Sequence, residues 1–192
     1  MKKIGLVVIV ALVAALCGGA ARAQVTPPTP VPKASAGIAG DMLEQWKRTE
    51  KRLVEMAQDF PEDKFDYKAA PTQRTFAEQL LHAAGSNYYF IAAATGGKMP
   101  GDEMENPSRA TYKTRAQMVE FIQKAFAAGA KVIEEQGDKG MLEAVKAPFG
   151  NRMVTRAALW AQAIGHANEH YGQCVVYYRL NGLVPPETRR QT

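Results

Sequence analysis

Apolar residues recur along this chain at steps of three and four, the spacing of helices that bury one face. Leu43, Trp46, Leu53, Met56 and Phe60 mark the first such segment, with Glu50 as a polar interruption and Pro61 as its stop. After the polar stretch PEDKFDYKAAPTQR comes Thr75-Phe-Ala-Glu78, a capping box. In such a box the threonine hydroxyl takes a backbone N–H three residues on, and the glutamate reaches back to the cap. The helix it opens is predicted to run unbroken to Gly96-Gly97. Thr114-Arg-Ala-Gln117 is a second box, opening a third helix through Met118, Ile122, Ala125, Val132 and Ile133. Gly129 inside it either weakens the helix or lets a neighbour approach closely. The stretch GDKGMLEAVKAPFGNRM has no clear period and reads as a short helix or a turn. Thr155 then opens the longest helix, which Asn181-Gly182 and the prolines beyond terminate. Four long amphipathic segments without strand alternation predict an all-α domain, a four-helix bundle.

The N-terminus breaks this pattern. Lys2 and Lys3 precede an apolar run from Ile4 to Leu16, and Ala21-Arg22-Ala23 offers the small residues a signal peptidase reads. The expectation is a signal peptide over 1–23, cleaved after Ala23, and a periplasmic or secreted mature protein. The run is too short to span a bilayer comfortably, and no later stretch is a membrane candidate. Bulky Leu16 before Cys17 argues against a lipoprotein. Gln24–Lys33 carries four prolines and almost no bulky apolar side chain, an extended spacer. The predicted organisation is therefore a linker over 24–40, one domain over 41–186 and a tail over 187–192.

Cleavage alters the charge. Losing Lys2, Lys3 and Arg22 takes the formal +5 of the chain down to about +2, with acids and bases interleaved along the domain. No basic block of the kind a nucleic-acid groove needs is present. Cys17 leaves too, so Cys174 has no partner for an intramolecular disulfide.

The candidate chemistry lies in three histidines. His166 and His170 stand four apart, one helical turn, on a face that also carries Leu159, Ala163, Cys174 and Tyr177. That is the buried stripe of the last helix, so both imidazoles are predicted to point inward. On the second helix His82 lies one turn after Glu78 and shares a face with Gly85 and Tyr89, the glycine leaving room beside the ring. Neutral imidazole ligates zinc, nickel, copper and iron. An inward histidine is also an ordinary core residue when its neighbours satisfy its nitrogens. Spacing leaves both readings open.

The Glu78–His82 pattern E-x-x-x-H, then H-x-x-x-H-Y-G-Q over His166–Gln173 and Y-Y-R-L-N-G-L-V-P-P over Tyr177–Pro186, resembles the DinB-like superfamily. The resemblance covers about Asp41 to Pro186. It implies a four-helix bundle in up-down-down-up order, with His82, His166 and His170 as ligands of a divalent metal, zinc or nickel. It also implies metal-dependent chemistry on a small molecule, in some members with a low-molecular-weight thiol as partner. An export signal departs from the cytoplasmic, thiol-using members.

Three protein ligands leave a coordination position open, as catalytic zinc sites do. Glu78 is the candidate catalytic residue: it would orient His82, act as general base, or add a fourth ligand. Closing the capping box is its competing role. Tyr89 and Gln173 are candidate pocket residues, Cys174 a candidate soft ligand or a small core residue, and Arg179 a partner for the helix dipole. The expected class is a metal-dependent hydrolase or transferase. The alternatives are a non-catalytic metal-binding bundle and, more weakly, a haem bundle, for which there is no C-x-x-C-H motif. A homodimer is compatible with the amphipathic pattern.

Overall fold

Gly37 opens α1 (Gly37–Asp59) in a left-handed conformation with φ 69°. Its bare Cα faces the Asp138 carboxylate, whose Oδ1 accepts from the Ala39 backbone N–H at 2.8 Å. A carboxylate from another helix thus caps the N-terminus of α1, where unpaired N–H groups and the helix dipole both favour negative charge. The computed structural model describes residues 37–190. The expected signal peptide and residues 24–36 of the spacer lie outside the described residues, and α1 begins inside the segment 24–40 assigned to the linker.

A 3-10 turn at Glu62–Lys64 follows, then α2 (Phe76–Gly85) and α3 (Asn87–Thr95). The unbroken helix predicted here is interrupted at Ser86. Its backbone stays in the right-handed region, but Tyr89 N–H bonds Ser86 C=O, a tighter three-residue spacing. Just before the break, a Cβ at Gly85 would lie 2.0 Å from the Met104 carbonyl oxygen. The room beside His82 is filled by the backbone of a short α4 (Asp102–Glu105). Gly96, with φ 67°, ends α3 as predicted.

Helix α5 (Arg115–Met141) opens with the predicted Thr114/Gln117 box and passes through a non-helical Gly137 near its end. Gly129 proves to be a close-approach glycine. A Cβ would stand 2.4 Å from Trp46 Cζ2, and the Trp46 indole donates to the Phe126 carbonyl at 2.8 Å. The ill-defined stretch begins inside α5, where a short helical segment runs from the kink at Gly137 to Met141, and continues into a hairpin. Ala144–Lys146 (β1) and Met153–Thr155 (β2) pair antiparallel, Val145 opposite Val154. Three-residue strands are too short to show alternation against a helical background. Thr155 then caps α6 (Arg156–Leu180). A last turn, α7 (Pro186–Arg189), occupies the expected tail, with Glu187 paired to Arg52 and Arg189 to Asp59.

Helices carry the fold. Their inner faces meet in one core containing Trp46, Phe60, Phe76, Phe126, Trp160 and Tyr178, all fully or almost fully buried. Contacts between α1 and α5 run in opposite chain directions, Ala39 to Asp138 and Phe60 to Arg115. Contacts between α1 and α6 run in the same direction, Thr49 to Asn168 and Asp59 to Tyr178. Helix α2 meets α6 head to tail, His82 level with His166 and Phe76 with Tyr177. That pairing brings the three histidines together. No described helix is long and apolar enough to cross a membrane.

Candidate metal centre

The box that starts α2 also sets the phase of His82. Thr75 Oγ1 accepts from Glu78 N–H at 3.2 Å, and Glu78 Oε2 accepts from Thr75 N–H at 2.7 Å. With α2 fixed there, His82 faces α6 across the core. His166 and His170 meet it from the predicted buried stripe. One nitrogen from each of the three rings lies within 4.8 Å of the others. Ring centroids are 5.3 Å apart for His82–His166 and 4.6 Å for each of the other two pairs. His82 and His170 are buried and His166 is half-buried.

Hydrogen bonds decide which nitrogens face inward. His82 Nδ1–H donates to the Glu105 carbonyl at 2.6 Å, and His170 Nδ1–H donates to Gln79 Oε1 at 2.8 Å. Both partner atoms are acceptors only, so each ring carries its proton on Nδ1 and its lone pair on Nε2. His166 Nε2 lies 3.2 Å from His170 Nε2, while its Nδ1 is buried with no hydrogen-bond partner. A proton on His166 Nε2 would leave Nδ1 an orphaned acceptor; a proton on Nδ1 would leave an orphaned donor and two opposed lone pairs. Either way a buried nitrogen is unsatisfied, which is costly in a protein interior. A cation at the convergence relieves the opposed lone pairs, so the donor set fits a metal.

Electrostatics point the same way. Burial pushes the His170 pKa down to about 3 and the His166 pKa down to about 4, and lowers that of His82. The Arg74 charge lowers all three further. The rings are neutral at physiological pH, the state that ligates metal.

Glu78 is half-buried, and one carboxylate oxygen serves the cap. Tyr89 is buried, its hydroxyl donating to the Gly101 carbonyl at 3.0 Å, and so braces the segment that carries Glu105. Gln173 is half-buried and reaches His170, favouring its charged form. Cys174 is fully buried in the core, with its thiol pKa pushed up by desolvation, and stands outside the nitrogen cluster. Arg179 is exposed in the last turn of α6. Two groups escape the sequence pattern. Gln79 adjoins Glu78 and is the residue that orients His170. The Glu105 carbonyl orients His82, and a backbone atom leaves no mark in a side-chain pattern.

Comparison with known proteins bears on the fold and the family. The family model of the DinB superfamily matches residues 45–174. Among solved structures, a DinB-like protein from Bacillus cereus ATCC 10987 is similar at a TM-score of 0.63 and 20% identity, covering 76% of this chain and 93% of that one. A DinB-like protein from Bacillus subtilis is similar at a TM-score of 0.58 and 20% identity, covering 74% and 92%. No curated protein matches the sequence. With the family model spanning α1 to the second half of α6 and these folds alongside it, the chain belongs to the DinB superfamily.

Proposed function

We propose that this chain is an exported DinB-superfamily protein whose four long helical segments run up-down-down-up and hold one divalent transition metal, zinc or nickel, through His82, His166 and His170. The carrying observation is the acceptor that stands at Nδ1 of both His82 and His170. With His82 and His170 donating from Nδ1 to these acceptors, Nε2 of each is left as the ligating nitrogen, and that of His170 lies 3.2 Å from His166 Nε2. The opposed and matched helix directions described above support the bundle order. The charged start, apolar run and Ala21-Arg22-Ala23 support export.

A bound ion with an open position supplies Lewis acidity toward an oxygen or sulfur donor of a small molecule. The protein's own contribution is to bury three neutral imidazoles together and to orient two of them, His170 through Gln79 and His82 through the Glu105 carbonyl. Half-buried His166 lies on the accessible side. Glu78 is the candidate for moving a proton, with its second carboxylate oxygen not engaged in the cap. This reading is a metal-dependent hydrolase or thiol-dependent transferase. The non-catalytic metal-binding reading draws on one observation: the capping bond already employs Glu78. A small ion suits the site better than haem, because His166 and His170 sit one turn apart on one helix with Nε2 atoms 3.2 Å apart.

Cobalt substitution separates enzyme from passive binder. Azide or a small thiol should perturb the visible spectrum of the cobalt protein if a position is open to exchange. A spectrum indifferent to both would contradict the catalytic reading.

A further inference from the structure

A cavity of ≈ 510 Å³ opens on the side of α2 that carries Glu78; its lining includes Lys68, Arg74, Glu78, Asn106, Ser108 and Arg109. Its charge is lopsided. Three cations face one carboxylate, and that carboxylate already accepts from Thr75 N–H. Arg109 is neutralised by Asp66 at 3.0 Å. Arg74 is half-buried, and among the described residues its guanidinium donates to a neutral group, the Asn106 amide oxygen, at 2.9 Å. Lys68 is held beside it by the bridge that pairs Lys68 with Thr75.

The fold ties Arg74 to the elements that carry the histidines, although no histidine lines the cavity itself. The Arg74 backbone carbonyl accepts from the Tyr177 hydroxyl, which anchors it to α6 two turns beyond His170. Its guanidinium partner Asn106 directly follows Glu105, the residue whose carbonyl holds His82. Glu78, one turn before His82, lines the same cavity. A half-buried guanidinium with no carboxylate partner among the described residues is a ready fork for an oxyanion, since it offers two parallel N–H donors.

We propose that Arg74 is the anion-binding residue of this site, and that the small molecule acted on carries a carboxylate or phosphate which Arg74 engages while another part of it reaches the three histidines. Lys68 adds charge at the cavity mouth, and the Asn106 amide keeps the guanidinium aimed. This deepens the metal-site reading and rests on it for what happens to the molecule once bound; the anion step is measured separately.

The test is calorimetric titration of the full mature protein, zinc-loaded and freed of excess zinc, with inorganic phosphate and with acetate at constant ionic strength. Wild type is compared with Arg74→Gln and Arg74→Lys, and zinc content is measured on each sample. Loss of the charged fork in Arg74→Gln should weaken the preferred anion by roughly tenfold or more. Arg74→Lys, keeping the charge, should fall between, with zinc content unchanged in both. Preference for phosphate or acetate names the oxyanion. Binding that is equal in wild type and Arg74→Gln, or absent from wild type, overturns the proposal. If wild type takes up no zinc but binds the anion through Arg74, the metal reading fails and the anion site stands.

Discussion

At the scale of single residues, the site rests on two hydrogen bonds that choose a tautomer. His170 presents Nε2 because Gln79 accepts from its Nδ1–H at 2.8 Å, and His82 does so because the Glu105 carbonyl accepts at 2.6 Å. Partners of this kind typically contribute 10–100-fold to metal affinity. Gln79→Leu keeps the buried volume and removes the acceptor, so zinc affinity should fall about 10–100-fold with zinc still bound by all three histidines. Competition with a chromophoric chelator measures this; an unchanged affinity would mean Gln79 does not orient the ring. The histidines themselves were legible because His166 and His170 continue a buried stripe at helical spacing. Gln79 was not: its position is next to the more conspicuous Glu78, and nothing in the sequence says which acceptor meets His170 across 91 residues.

At the scale of elements, helix starts were legible and close approaches only half so. Both capping boxes form as read, because a hydroxyl and a carboxylate or amide three residues apart satisfy each other's backbone locally. What lies against a glycine depends on tertiary packing. Gly129 admits the Trp46 indole, so Gly129→Ala overpacks a fully buried aromatic and should destabilise the fold by about 1–3 kcal/mol in chemical denaturation. Gly85 admits the Met104 carbonyl, one residue from the Glu105 carbonyl that holds His82. Gly85→Ala should therefore push α4 outward and lower zinc affinity as well as stability, a coupling that Gly129→Ala lacks. Equal effects of both glycine variants on zinc affinity would sever that link. The hairpin was hidden for another reason: Ala144–Lys146 and Met153–Thr155 bury little beyond Val145, and strands so short carry no period.

At the scale of the whole molecule, keeping three imidazoles neutral in the core makes the metal-free protein sensitive to acid. Unfolded histidines titrate near 6.5, whereas His166 and His170 in the fold titrate at about 4 and about 3, through burial first and neighbouring charges second. As pH falls below 6.5 the unfolded chain takes up protons that the folded chain refuses, so stability declines with falling pH. The loss should run from about pH 6.5 to the folded values near 4 and 3 and flatten below them. Denaturation of metal-free wild type across that window should show the slope, and His166→Ala/His170→Ala should show less of it; identical slopes would contradict the burial argument. The all-helical class and the family were legible in the full run of motifs from Glu78 to Pro186. The closing turn α7 was not, because four residues show no period and the pairing of Glu187 to Arg52 and Arg189 to Asp59 on α1 is tertiary. The central claim is that the three histidines exist to hold a metal. Its most direct test is elemental analysis of untagged mature protein from its native compartment, beside the His166→Ala/His170→Ala variant. About one equivalent of a transition metal, lost in the variant, is the predicted result. A wild type that stays metal-free even after reconstitution with zinc and nickel would contradict it and leave the three histidines as residues of the core.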